Sequence, residues 1–403
     1  MSPFIALVGM AVLIAIAWVL SEKRSAIRWR TIIAAFFLQA GFAALVLYVP
    51  AGQHILHRVS NSVSGLLSFA DNGINFLFGS LATTGFVFAI RVLPLIIFIS
   101  ALISMLYYLG IMQWIIKIIG GGLQKFLGIS RSESIIATGN IFLSQGESPL
   151  LVKPFLSEMT RSELFTVMTC GMASVAGSVL GGYAAMGVEL KYLIAASFMA
   201  APGSLMMAKL LVPEQSVPVD QDTVELGQSE ESNVIDALAI GAMNGMRVAV
   251  AIGTMLLAFI SVIAMFNYGI EHVGMWFGFQ NLTLQSILGY LFAPIAFLIG
   301  VPTNEMMQAG SLIGQKLILN EFVAYLDFST IKTALSAHTQ VIITFALCGF
   351  ANIGSIAIQL GSIGVLAPNR RGEIASLGLK AVLGATLANL MSAALAGLFV
   401  GIA

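Results

Sequence analysis

Long apolar runs, separated by short polar stretches, make up most of this chain. An apolar run of about 20 residues is long enough to cross a bilayer as a helix. Eight runs approach or exceed that length, and we predict that each forms a membrane span. They occupy residues 3–20, 31–49, 84–109, 163–187, 191–212, 234–266, 330–365 and 376–402.

Two stretches between the spans are amphipathic. Residues 51–80 place polar side chains such as Arg58 and Asp71 among apolar ones, and residues 112–128 do the same with Lys117. Helices with this composition lie in the headgroup plane of a membrane. We therefore predict interfacial helices at both positions.

Two further apolar segments, residues 131–158 and 303–327, are predicted to enter the membrane and turn back. The arms on either side of their polar interruptions are too short to cross a bilayer. In the first segment the helix is expected to break at residues 145–146, and Pro149 can begin the second arm, because proline is tolerated in a first helical turn. In the second segment the tip is expected near residues 319–321.

A short motif occurs twice, in the fourth and seventh predicted spans. Residues 170–177 (CGMASVAG) and 348–355 (CGFANIGS) both begin with Cys-Gly, and each lies in a long apolar segment rich in Gly, Ala and Ser. Glu147 precedes the first copy and Glu321 the second, each in an apolar stretch. Helix breakers and a carboxylate in corresponding positions of two halves indicate a binding site at the middle of a transporter.

The composition is that of a membrane protein. Of 403 residues, 58% are hydrophobic and only 9% are charged, whereas soluble domains carry about 25% charged residues. The net charge is zero, so a nucleic-acid partner is not favoured. We predict an all-α polytopic membrane protein of eight transmembrane helices, with two re-entrant hairpins in an inverted repeat.

The basic residues predict the orientation. Residues 21–30 contain four Lys or Arg, whereas residues 266–300 contain none, and cytoplasmic loops are enriched in these residues. Both termini are therefore expected outside, in a multi-pass protein of the cytoplasmic membrane.

The predicted domains are a scaffold, residues 1–111 and 233–284 with spans 1, 2, 3 and 6, and a transport domain, residues 112–212 and 285–403.

Glu147 and Glu321 are the leading candidates for chemistry. A charged side chain at the bilayer centre costs about 2.5–3.5 kcal/mol on insertion scales. A bound ligand, water, or a basic neighbour such as Lys153 or Lys316 could offset that cost, and the sequence leaves these alternatives open.

Amide and hydroxyl side chains lie near the predicted breaks. Asn140 and Ser174, with carbonyls freed by a break, could form an oxygen cage for a small cation, or could make an interhelical hydrogen bond. Asn352 and Ser355 lie in the second motif, where the alternative role of the small residues is close helix packing.

One segment carries a strong resemblance. Residues 314–325 read GQKLILNEFVAY and match the motif G-x-K-x3-N-E-F-V-A-Y of the concentrative nucleoside transporter family at every fixed position. Residues 145–150 (QGESPL) are similar to that family's first hairpin motif. The similarity covers roughly residues 84 to 400, and the chain resembles the bacterial, sodium-coupled members.

The resemblance implies a secondary active importer of nucleosides, coupled to a sodium gradient and assembled as a homotrimer in the lipid bilayer. It also implies which side chains bind the substrate and the co-transported sodium ion, the latter partly through backbone carbonyls. The implied substrate-binding residues are Gln145, Gly146, Glu147, Val179, Glu321, Phe350, Asn352 and Ser355, and the implied sodium-binding residues are Asn140, Leu143, Ser174 and Val175.

The chain departs from the family pattern at the first hairpin. Ser144 replaces the usual glycine, and Gly146 stands where the family has a threonine or serine, so a hydroxyl near the base is missing. Proton coupling and a passive nucleoside channel or gate remain as alternatives. An intramembrane enzyme such as a lipid phosphatase would need an arginine near the hairpin tips. No arginine lies near either predicted tip in the sequence, so the chain is not predicted to be an enzyme.

Overall fold

The computed structural model describes residues 3–83, 85–218, 231–279 and 281–402, and this part of the chain contains helices and no strand. Short 3-10 segments join some of the helices. The α-helices are α1 (Pro3–Val19), α2 (Trp29–Leu47), α3 (Pro50–Ser68), α4 (Ala70–Phe78), α5 (Phe88–Arg91), α6 (Leu93–Tyr108), α7 (Ile111–Leu127), α8 (Arg131–Gly139), α9 (Arg161–Ala173), α10 (Gly177–Ala185), α11 (Leu190–Leu211), α12 (Val234–Trp276), α13 (Leu284–Leu298), α14 (Met306–Ile318), α15 (Glu321–Ile331), α16 (Ala337–Leu347), α17 (Gly354–Leu366) and α18 (Arg371–Ile402).

Many of these helices have the length and apolar character of membrane spans. Within the described residues, six helical segments are long and apolar enough to cross a membrane. The shorter apolar helix α1 covers the first predicted span, and α16 with α17 cover the seventh. The six segments are Trp29–Leu47, Phe88–Tyr108, Arg161–Ala185, Leu190–Leu211, Val234–Trp276 and Pro368–Ile402.

The amphipathic stretches are helical, as α3 with α4 and as α7. The structure adds α13, which the hydrophobic pattern did not predict because its 15 residues are too few for a span. Thr283 and Ser286 cap its start reciprocally. It packs against α14 as α7 packs against α8, so each of the two segments predicted to turn back is preceded by a helix that packs against its first arm.

The segments predicted to turn back, residues 131–158 and 303–327, are called the first and second hairpin segments, and they differ in form. In the first, α8 ends at Gly139, earlier than the predicted break at residues 145–146, and the return arm is a 3-10 segment over Ser148–Phe155. Pro154 lies inside that arm and has no N–H for a regular helix. In the second, α14 ends at Ile318 and α15 begins at Glu321, so the turn falls where the sequence predicted it.

Both motif-bearing spans are interrupted. Helix α9 gives way to α10 across residues 174–176, which we call the first break, and α16 gives way to α17 across residues 348–353, the second break. The breaks are joined, because the backbone N–H of Phe350 donates to the carbonyl of Ser174 at 3.1 Å. A side chain at Gly349 would place its Cβ 2.6 Å from the carbonyl oxygen of Ala173, so this close approach requires glycine.

The buried core lies around these breaks. Helix α11 is almost wholly buried and packs against α2, α9 and α18, and α1 packs against α18. In contrast, α12 pairs with α6 and leaves most of its apolar surface exposed. An exposed apolar surface of this length suits contact with lipid.

Candidate functional site

Both hairpin segments meet the broken helices at one place. The backbone N–H of Gly177, just after the first break, donates to the carbonyl of Phe142 at 2.8 Å. The backbone N–H of Ile353, at the second break, donates to the carbonyl of Leu317 at 3.1 Å. The structure therefore brings together the four irregular segments that the sequence marked as candidates.

A continuous chain of hydrogen bonds crosses this junction. The side-chain amide of Gln145 donates to Ser355 Oγ at 2.9 Å. The backbone N–H of Ser355 donates to Asn352 Oδ1 at 2.9 Å, and Asn352 Nδ2 donates to Glu321 Oε2 at 3.2 Å. All four side chains are buried. Gln145 Oε1 has no hydrogen-bond partner, so it is available to a donor on a ligand.

Tyr183 extends this chain of hydrogen bonds, although the sequence does not mark it as a candidate site residue. Its hydroxyl donates to Glu321 Oε1 at 3.1 Å, and its ring lies against Tyr325 with centroids 4.5 Å apart. The only sequence signal is a single tyrosine among the small residues of α10. The hydrogen-bond partners of Glu321 are thus Tyr183 and Asn352 rather than the alternative considered above, Lys316.

Val179 and Phe350, two further predicted substrate contacts, belong to the same elements as the hydrogen-bonded side chains. Val179 is buried in α10, four residues before Tyr183, and residues four apart share one helix face. Phe350 is half-buried at the second break, and its carbonyl accepts from Ser355 Oγ at 2.5 Å. Val179 therefore lies on the helix face that carries Tyr183, and Phe350 lies in the break that carries Asn352.

Glu147 differs from Glu321 in being exposed. Its Oε2 accepts from the backbone N–H of Ser144 at 3.0 Å and from Ser144 Oγ at 2.8 Å, and not from Lys153, the partner considered above. Next to it, a Cβ on Gly146 would find only Ser144 Oγ within 4 Å, at 3.8 Å. Gly146 therefore leaves open space at the turn of the first hairpin segment.

The predicted sodium-binding residues lie in the first break and in the turn after α8, whose Phe142 carbonyl accepts from the backbone N–H of Gly177. Asn140 is buried and donates to the carbonyl of Ile136 at 2.9 Å, while its Oδ1 has no hydrogen-bond partner. Ser174 and Val175 lie in the break itself, and Leu143 is buried in the turn that contacts it. The available ligands are neutral oxygens, which suit a hard monovalent cation. In the described residues, no group of three His, Cys, Asp or Glu could hold a metal ion.

Two more buried polar residues, Lys316 and Asn389, donate hydrogen bonds to backbone carbonyls at the breaks. Lys316 Nζ donates to the carbonyl of Ala346 at 2.8 Å and to Asn389 Oδ1 at 2.7 Å. Asn389 Nδ2 donates to the carbonyls of Ala173 at 2.6 Å and Cys348 at 3.0 Å. Asn389 is not marked by the sequence, because an isolated asparagine in a long apolar helix carries no spacing signal.

Comparison with known proteins places this architecture in a family. A model described as "Na+ dependent nucleoside transporter N-terminus" matches residues 8–81, and one described as "Nucleoside recognition" matches residues 89–189. A third, "Na+ dependent nucleoside transporter C-terminus", matches residues 192–397. Together the models cover most of the chain.

Relatives and solved structures agree with these matches. The chain is 47% identical over 414 residues to the nucleoside permease NupC of Helicobacter pylori, covering 100% of this chain and 99% of that protein. It is 53% identical to CNTnw solved in an inward-facing substrate-bound state, with a TM-score of 0.96 and coverage of 99% and 98%. A double variant of CNTnw in an outward-facing state matches with a TM-score of 0.95, 53% identity and coverage of 100% and 98%. The chain belongs to the concentrative nucleoside transporter family.

Proposed function

We propose that this protein imports nucleosides by alternating access, driven by a sodium gradient. The observation that carries the proposal is the buried chain of polar side chains from Gln145 to Glu321 at the meeting point of two hairpin segments and two broken helices. Nucleosides are neutral, with hydroxyl donors on the ribose and amide-like edges on the base. Carboxylate and amide side chains can pair with both.

The two ends of this row of hydrogen-bonded side chains suit different parts of a nucleoside. Glu321 and Asn352 offer a carboxylate and an amide to the ribose hydroxyls, and Ser355 holds Asn352 in place. Gln145, with its unpartnered Oε1, suits the polar edge of the base. The residues assigned to the base or to the wall beside it are Gln145, Gly146, Glu147, Val179 and Phe350.

Sodium is proposed to bind at the first break. Asn140 Oδ1 and the Ser174 hydroxyl would provide side-chain ligands, and Leu143 and Val175 would provide backbone carbonyls. The carbonyl of Ser174 also accepts from the backbone N–H of Phe350. A cation that orders the first break would thereby fix the second break beside the substrate, which is a direct route for coupling.

The proposed transport cycle divides the chain into two bodies. The scaffold comprises residues 1–111 and 233–284, and the transport domain comprises residues 112–212 and 285–403. Support comes from the pairing of α6 with α12 and from one relative, CNTnw, which is solved in an inward-facing state and, as a double variant, in an outward-facing state. The interface between the bodies would include α2 against α11 and α1 against α18.

The proposed topology has eight spans and two re-entrant hairpins in an inverted repeat. Both termini lie on the outer side of the cytoplasmic membrane. The assembly is proposed to be a homotrimer. A mass measurement in mild detergent tests this, and a stable monomer or dimer would contradict it.

Uptake into proteoliposomes tests the function. An inward sodium gradient should drive accumulation of labelled nucleoside above its external concentration, and equal sodium on both sides should abolish the accumulation. Accumulation driven by a proton gradient and indifferent to sodium would replace the sodium assignment with proton coupling. Equilibration without accumulation under either gradient would indicate a passive channel.

A further inference from the structure

Each break gathers the C-terminal ends of two helices. Around the first break, α8 ends at Gly139 and α9 ends at Ala173. Around the second, α14 ends at Ile318 and α16 ends at Leu347. A helix C-terminus carries a partial negative charge of about half an elementary charge. The carbonyl oxygens at these four helix ends therefore favour a cation.

The two breaks differ in what their carbonyl oxygens have as a cation. In the turn that contacts the first break, Asn140 is about 1% exposed, yet its Oδ1 has no hydrogen-bond partner. A buried acceptor without a donor is costly, and a bound cation would relieve it. The proposed sodium ion therefore fills a place that the protein itself leaves open.

At the second break the protein supplies its own cation. Lys316 is about 3% exposed, and its Nζ donates to the carbonyl of Ala346 and to Asn389 Oδ1. Both partners are neutral oxygens, so the ammonium group is held as a cation is held in an oxygen cage. Asn389 then donates to the carbonyls that end α9 and follow α16, those of Ala173 and Cys348.

We propose that Lys316 is a built-in cation at the second break, where it plays the part that the mobile sodium ion plays at the first. It is a positioning residue, acting on the breaks through Asn389 and Ala346. Its presence makes the second break independent of dissolved cations, so that sodium acts at a single site. This inference rests on the sodium-coupled transport proposed above.

Neutral variants of Lys316 test the proposal. Lys316→Met and Lys316→Gln remove the charge while retaining a side chain of similar length. Lys153→Met is the matched control, because Lys153 is an exposed lysine in the first hairpin segment. For each protein, uptake and the unfolding temperature are measured against sodium concentration, with choline chloride keeping the ionic strength constant.

We expect a mobile cation to replace the lost ammonium group. Uptake by the wild type and by Lys153→Met should follow sodium with a Hill coefficient of about 1. The Lys316 variants should need about tenfold more sodium, and their Hill coefficient should rise towards about 2, because the coefficient is limited by the number of sites. Their unfolding temperature, lowered without sodium, should recover with sodium and not with choline.

Two results would overturn the proposal. One is a folded Lys316 variant whose sodium dependence has the same shape as that of the wild type. The other is a pair of Lys316 variants that stay unfolded at about 1 M sodium, far above the half-saturation expected from a tenfold weakening. Sodium-independent uptake by the wild type would instead refute the proposed coupling, and the unfolding temperatures would still test Lys316 separately.

Discussion

Tyr183 donates its hydroxyl hydrogen to Glu321 across 3.1 Å, which connects α10 to the first turn of α15. Asn352 donates to the other carboxylate oxygen at 3.2 Å. The carboxylate is therefore held from two sides, in an orientation set by residues of α10 and of the second break. An acceptor that is already oriented binds a hydroxyl donor without first losing rotational freedom.

Tyr183→Phe should weaken nucleoside binding. The substitution leaves a buried carboxylate oxygen without its donor, which costs about 1–3 kcal/mol. We expect affinity to fall by about tenfold, which corresponds to about 1.4 kcal/mol, as measured by calorimetry at saturating sodium. Tyr325→Phe is the control, because the Tyr325 hydroxyl donates to the Thr344 carbonyl and not to Glu321. An equal loss in both variants would indicate a general packing effect.

The ribose assignment predicts selectivity among substrates. If Glu321 and Asn352 receive the ribose hydroxyls, a 3′-deoxy nucleoside leaves one of these buried groups unpaired. Its affinity should then be at least about tenfold lower than that of its parent. In Asn352→Ala this discrimination should shrink. Equal calorimetric affinity of the wild type for parent and 3′-deoxy nucleoside would contradict the assignment.

Asn140→Ala should affect sodium more than substrate. The change removes the unpartnered Oδ1 at the first break, so the half-saturating sodium concentration should rise by about tenfold. Nucleoside affinity at saturating sodium should change by much less. Thr138→Val is the control, because Thr138 is a buried neighbour in α8 whose hydroxyl donates to the Ser134 carbonyl. Similar sodium curves for both variants would argue against the cage.

An ion-pair network links the loop after α1 to α9 and α18. Glu22 accepts from Arg161 Nη2 at 3.0 Å and Nε at 3.1 Å, and from Lys380 Nζ at 3.0 Å. The hydrogen bond from Arg161 is the main cause that holds the pKa of Glu22 below its usual range, with a further contribution from Lys380. This network joins the proposed scaffold to the proposed transport domain.

The lowered pKa gives a pH dependence of known sign. A carboxylate whose pKa is lower in the folded state stabilises the fold above its unfolded pKa, and that stabilisation is lost as the pH falls through the folded value. Glu22→Gln should therefore lower the unfolding temperature at pH 7 by about 2 °C. It should also reduce the fall in unfolding temperature on acidification below about pH 4.5, the usual value for glutamate. An unchanged pH profile, measured by thermal unfolding, would contradict this.

The hydrophobic pattern predicted most of the helices, because membrane spans are read from the length of apolar runs. It missed α13, which is too short to be read in that way. It also placed the break in the first hairpin segment several residues late. There, helix α8 ends at Gly139, and the irregular turn that follows is stabilised by contacts distant in sequence, such as Gly177 with Phe142.

The candidate site was predictable only where residues carry a motif. Glu321 and Asn352 stand out as polar groups in apolar surroundings, and the structure joins them directly. Tyr183 and Asn389 make contacts across 138 and 216 residues of sequence. Such pairings are set by the packing of helices that are distant in sequence, which no local pattern encodes.

Gly146 is the position where this chain offers the clearest test of base selectivity. The family motif that this segment resembles has a threonine or serine here. Apart from its two chain neighbours, a Cβ at Gly146 would have only Ser144 Oγ within 4 Å, at 3.8 Å, so the space around it is open. Gly146→Thr should therefore be accommodated without a clash. The added side chain would occupy room beside Gln145, the residue assigned to the base.

We expect Gly146→Thr to shift the ratio of purine to pyrimidine uptake towards pyrimidines, because the larger base needs the space that glycine leaves. Discrimination against 3′-deoxy nucleosides should stay intact, since Glu321 and Asn352 are unchanged. Competition between adenosine and uridine for uptake measures the ratio in both proteins, and Gly146→Ala serves as a smaller control. If Gly146 only shapes the turn, uptake of both nucleosides should fall by the same factor, and an unchanged ratio would refute the role in base selectivity.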